Sequence, residues 1–142
     1  MTSPDDAAAI RGTLDGMLRA FAARDARAAV AAYAPDAIIF DLAPPLSRRP
    51  NVEEIAAWIA TWVGPLVRTT RELGLDVSGD LAVWHGYLHT AATTLGGEAA
   101  AWWERATFVL RRTDAGWRVV QEHTSVPFRM DGSFLAATDL TP

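Results

Sequence analysis

Cysteine is absent from this 142-residue chain. That excludes a disulfide framework, a thiolate nucleophile and any zinc site built on cysteine. Lysine is absent too, since all 13 basic residues are arginine, so Schiff-base and lysine-base mechanisms are closed to it. Histidine is scarce: His85, His89 and His123. His85 and His89 are four apart, but four residues of strand span roughly 13 Å, too far to share one ion. No metal and no other cofactor is expected. The net charge is −4 and no basic stripe exists to track a phosphate backbone, so no nucleic-acid partner is expected. No apolar run approaches the ~20 residues a membrane-crossing helix needs. Met1 to Asp6 carries two acids and no basic run before an apolar stretch, unlike a signal peptide. The expectation is a cytoplasmic protein with no membrane partner. Half of the residues are apolar and 21% are charged, which suits a single globular domain over 1–142.

What is present reads as helices followed by strands. In Ser3-Pro4-Asp5-Asp6 the serine can cap a helix, the proline suits its first turn, and the acids face the positive end of its dipole. Ile10, Leu14, Met17 and Phe21 recur at helical spacing, and this helix is expected to end near Arg24. Asp25 can cap a shorter helix through Tyr33, stopped by Pro35. Ala37 to Asp41 reads as a short strand. Asn51 can cap a third helix from Val52 to about Val63, with Ile55, Trp58, Ile59 and Trp62 as one stripe. Gly64-Pro65 ends it. Strands are expected over 69–77, 81–95, 101–112 and 117–127, separated by Ser78-Gly79-Asp80, Gly96-Gly97 and Thr113-Asp114-Ala115-Gly116. Helices on one face of a mostly antiparallel sheet make an α+β fold. A strongly curved sheet closed by three helices from the N-terminal half would form a cone around a pocket.

Several strings resemble the nuclear transport factor two-like superfamily, and within it SnoaL-like and ketosteroid-isomerase-like proteins. Phe21-Ala22-Ala23-Arg24-Asp25 is similar to the end of that family's first helix, and Tyr33-Ala34-Pro35-Asp36-Ala37 to its approach to the first strand. Trp103-Glu104-Arg105-Ala106-Thr107, Trp117-Arg118-Val119-Val120 and Glu122-His123-Thr124-Ser125 resemble its last hairpin. The likeness covers nearly the whole chain. It implies the conical fold, but the fold carries isomerases, dehydratases, cyclases and non-catalytic binders alike. Laid beside ketosteroid isomerase, Asp41 falls at the general base. Met17 falls at the oxyanion tyrosine, and Thr107 (or Phe108, with a different gap) at the oxyanion aspartate. The base is matched and the oxyanion hole is not.

Asp41 ends an apolar strand, as a general base can, or caps the following loop with its side chain. Strict alternation puts Val119, Gln121, His123 and Ser125 on one face, which the resemblance turns toward the pocket. There His123 would be an acid–base partner of Asp41, or a histidine tying a serine or a carbonyl. Arg105, alternating with Trp103 and Thr107, would stabilise developing negative charge, or would form an ion pair on the outer face. Six tryptophans are many for this length. Trp58 and Trp62, Trp84 on the long strand, and Trp103 could wall a site for a small apolar or ring-containing ligand, or simply pack. Tyr33 could lend a hydroxyl there or pack. Phe108, Leu110, Val120 and Val126 share the parity opposite to His123, so an apolar outer face covered in a homodimer is expected. The expected function is a cofactor-free isomerase, dehydratase or cyclase working by proton transfer on an apolar carbonyl or polyketide-like compound. A binding module without catalysis is the alternative.

Overall fold

A computed structural model describes residues 2–142; Met1 lies outside the described residues. Helix α1 spans Pro4–Ala22, α2 Ala26–Val30 and α3 Val52–Ile59. The caps are those that local chemistry dictates: Ser3, Asp25 and Asn51 each accept a hydrogen bond from the backbone N–H three residues on. Arg24, at a positive φ of 60° just past α1, donates from its guanidinium to the carbonyls of Ile59 and Gly64. This ties the end of α1 to the end of α3 and satisfies a helix-terminal acceptor.

Five strands follow the spatial order β1-β5-β4-β3-β2. They are β1 Tyr33–Phe40, β2 Trp62–Ser78, β3 Leu81–Thr94, β4 Ala99–Thr113 and β5 Gly116–Ser125. β1 pairs in parallel with β5, and every other pairing is antiparallel. The sheet is mixed, mostly antiparallel and not closed into a barrel, and with the three helices it makes the expected α+β fold.

Three local expectations need correction. The third helix ends at Ile59 rather than near Val63, and Trp62 opens β2. Gly64-Pro65 is therefore not a helix stop. It lies in an irregularity of β2 between Val63 and Val67, where Gly64 takes φ +69°, a conformation glycine adopts without steric cost. Tyr33 belongs to β1, not to the second helix. The third correction concerns faces. Phe108 and Leu110 are fully buried, with Ile10, Met17, Leu88 and Val119 in the same core. They are not available as an outer apolar face, because β4 turns its even-numbered residues toward the helices.

β5 changes face part-way along. Leu110 pairs with Val119 but Val109 pairs with Gln121, so Val120 is an extra residue, a bulge. Trp117 and Val119 point inward before it, and Glu122 and Thr124 after it. A second irregularity, between Glu72 and Gly74 in β2, sits opposite Gly86 of β3. A Cβ on Gly86 would lie 2.3 Å from the Arg71 carbonyl oxygen and 2.9 Å from the Trp84 ring. Only glycine lets the strands approach so closely at this bend.

Candidate active site

The helices and the inward face of the sheet enclose a cavity of about 430 Å³, the size of a small-molecule site. Each strand contributes by its alternation. β2 supplies Arg68, β3 Thr90, and β4 Trp102 and Glu104; β5 supplies Glu122 and Thr124, and β1 Tyr33 and Ile39. Arg68, Thr90 and Trp102 pair side by side across three strands. α3 adds Glu54, Ile55 and Trp58. The loop after β1 adds Asp41, Leu42, Ala43, Pro44 and Arg48.

One wall is aromatic. Trp58 and Trp62 meet edge to face at 6.3 Å, forming a corner, and Trp62 lies over Trp102 at 5.9 Å. Phe21 braces Trp58 edge-on at 5.9 Å and is itself covered by the Arg68 guanidinium at 4.8 Å. The Trp62 indole N–H is buried with no acceptor among the described residues.

The opposite wall is ionisable. Glu122 and Glu104 are each 5% exposed. The Tyr33 hydroxyl donates a hydrogen bond to Glu122. No cation forms an ion pair with Glu122 among the described residues. Burial pushes its carboxyl above the ordinary carboxylate range, against the pull of Arg68 and of the tyrosine hydrogen bond. Burial, reinforced by the nearby Glu122 charge, raises Tyr33 well above the usual phenol range. Glu104 accepts from the Trp102 indole N–H at 2.9 Å and faces Arg68 at 3.4 Å, yet burial still raises it. Arg68 also reaches Thr90 Oγ1 at 3.4 Å. Both Arg68 contacts are long for hydrogen bonds, so its charge serves Glu104 and Glu122 together without a tight bidentate pair. Nearer solvent, Asp41 accepts from the Ala43 backbone N–H at 3.0 Å and lies 3.0 Å from the Arg48 guanidinium. Arg48 also faces Glu54 at 3.6 Å.

Of the residues expected at the site, Asp41, Tyr33, Trp58 and Trp62 line this cavity. Asp41 is held by Arg48 and by its own loop. Met17 and Trp84 are buried in the core instead, and the Trp84 N–H donates to Glu72. Arg105, Trp103, Thr107, Gln121, His123 and Ser125 lie on the other side of the sheet. Arg105 donates to Ser125, His123 packs edge-on against Phe40, and His89 lies 4.8 Å from the Trp103 ring. The proposed convergence of Asp41, Arg105 and His123 on one cavity is therefore corrected. The Val120 bulge brings Glu122, not His123, inside, and unbroken pairing with β3 turns Glu104, not Arg105, inward.

Sequence reasoning missed Arg68, Glu104 and Glu122. Glu104 was detectable as a lone acid on the parity of Trp102, Ala106, Phe108 and Leu110. Arg68 lay just outside the expected strand. Glu122 had no signal, because the bulge is not written in the alternation.

Comparison with known proteins agrees with this architecture. A SnoaL-like domain family matches residues 10–129. A nuclear transport factor two-like protein of unknown function from Pseudomonas putida KT2440 is similar at 27% identity, with 100% of this chain and 99% of that one covered and a TM-score of 0.83. A ketosteroid isomerase-like protein from Erwinia carotovora atroseptica shares 21% identity over 87% of this chain and 97% of that one, with a TM-score of 0.70. A putative scytalone dehydratase from Novosphingobium aromaticivorans shares 12% identity over 93% of this chain and 91% of that one, with a TM-score of 0.76. A search of curated proteins gives no match. Among the described residues, no helix is long and apolar enough to cross a membrane.

Proposed function

The chain belongs to the SnoaL-like domain family, and from that premise we propose that it is an acid–base enzyme acting by proton transfer on a small, largely apolar, ring-bearing compound. The reaction class is isomerisation, dehydration or cyclisation. The observation that carries the reading is the Tyr33–Glu122 pair: a buried carboxyl on the cavity wall, hydrogen-bonded to a buried phenol and, among the described residues, in no ion pair. Burial raises this carboxyl above its ordinary range, which strengthens it as a base and lets its protonated form serve as an acid at higher pH. Tyr33 orients it, and Arg68 offsets charge that develops nearby. Asp41, neutralised by Arg48, is assigned to the rim rather than to the proton transfer. The aromatic corner of Trp58 and Trp62 would hold the ring.

The test is hydrogen–deuterium exchange at the α-carbon of 2-tetralone in D₂O, followed by NMR. The wild type should exceed the buffer rate. Glu122→Gln should lower the catalysed rate by about 10²–10⁴-fold, and His123→Ala, on the outer face, should leave it unchanged. Equal rates in wild type and Glu122→Gln would end the catalytic assignment. Tetralone binding without any exchange would favour the binding-module reading.

A further inference from the structure

The charges around the cavity do not balance. Four carboxyl side chains line it, Asp41, Glu54, Glu104 and Glu122, against two guanidinium groups, Arg48 and Arg68. Arg48 is shared between Asp41 and Glu54 at the rim, and Arg68 acts on both glutamates at the floor. At each level one cation serves two acids. Tyr33 is the remaining titratable group in the cavity, and as a phenol it brings no positive charge. None of His85, His89 and His123 lines the cavity; His123 packs on Phe40 and His89 on Trp103, on the outer face of the sheet.

A carboxylate entering this cavity would meet Glu122 without a cation of its own to pair with. Both arginines already face acids, so an anionic ligand would have to take one of them away. A positive ligand has the opposite effect, because it supplies the missing partner to a buried carboxyl. The other wall suits it as well. Trp58 and Trp62 both line the cavity and meet with their planes 72° apart, and the negative faces of indole rings attract a cation. The net charge of −4 would also steer a cation toward the protein.

We propose that the cavity takes an organic cation, a protonated amine carried on a cyclic apolar frame, with the ammonium between the Trp58–Trp62 corner and the Glu104–Glu122 wall. The proposal rests on the small-molecule reading above and adds the charge class of the ligand to it. Burial strengthens the hold of Glu122 on its proton, and an ammonium beside it would favour the carboxylate. Binding of the amine should therefore release protons.

Three probes on one frame test this: 2-aminotetralin, 2-tetralol and tetralin-2-carboxylate. Binding to the wild-type protein is measured by tryptophan fluorescence and by calorimetry at mildly acidic pH, in two buffers of different ionisation enthalpy. The amine should bind at least tenfold more tightly than the alcohol, and the carboxylate most weakly. The amine's heat should depend on the buffer, reporting proton release, and Glu122→Gln should reduce that dependence, leaving only the share of Glu104. A carboxylate that binds as tightly as the amine, or no binding by any probe, overturns the proposal, and the order of the three in wild type decides it even if the variant fails to fold. Catalysed tetralone exchange with the charge order reversed would sink the cation assignment alone. Amine-selective binding without exchange would sink the catalytic assignment alone.

Discussion

Glu122→Gln removes one titration from the core while keeping the side chain's shape and an acceptor for the Tyr33 hydroxyl. Burial raises the Glu122 carboxyl above the ordinary carboxylate range, and raises Glu104 for the same reason. The folded protein therefore holds a proton at pH values where the unfolded chain, titrating at about pH 4.3, has already lost it. Stability from the protonated carboxyl is fully present below about pH 4.3 and is lost as pH rises through the higher folded value. Within that window, one retained proton makes stability fall by about 1.4 kcal/mol per pH unit. The wild type has two such carboxyls, so its slope reaches up to about twice that where their windows overlap. The variant keeps only the contribution of Glu104, and should gain on the wild type by about 1.4 kcal/mol for each pH unit crossed. With a urea m-value of about 1–3 kcal/mol/M, the two unfolding midpoints separate by about 0.5–1.4 M per pH unit. The assay is urea unfolding followed by tryptophan fluorescence, in steps upward from about pH 4. Midpoints that run parallel at every pH would refute the reasoning, because Glu122 would then be titrating as it does in the unfolded chain.

Two further outcomes test the packing that creates the site. Phe108, 1% exposed and 5.6 Å from the Trp84 ring, should cost about 3–5 kcal/mol when changed to alanine, whereas Thr107→Ala on the opposite face should cost less than about 1 kcal/mol by calorimetry. Comparable costs at the two positions would reverse the assignment of faces on β4. Gly86→Ala pushes a methyl into the Arg71 carbonyl and should cost about 1–3 kcal/mol in the same measurement; an unchanged melting temperature would show that the strands separate freely there.

Local chemistry was readable in advance. The caps at Ser3, Asp25 and Asn51 depend only on a side chain and the backbone three residues on, and all three formed. The order of helices and strands followed from apolar spacing and turn residues, and it carried the family resemblance with it. Composition alone ruled out cysteine and lysine chemistry. Asp41, Tyr33, Trp58 and Trp62 were also legible as cavity candidates, Asp41 from the family resemblance and the others as aromatic side chains able to wall a site, and all four line the cavity.

Which side of a strand faces the cavity was a different matter. Alternation gives two faces and does not say which is inside, and one extra residue exchanges them. Val120 is that residue on β5: it sends His123 outward and brings Glu122 against Tyr33, 89 positions earlier in the chain. On β4 the choice between Glu104 and Arg105 was settled by where Phe108 and Leu110 could be buried, a matter of helices packing across the sheet. The sequence by itself determined the elements, their order and the residue types available for chemistry, because those depend on contacts a few residues apart. Only the tertiary structure decided which acids were buried together and which arginine faced them, because register and bulges are set by pairing between distant strands.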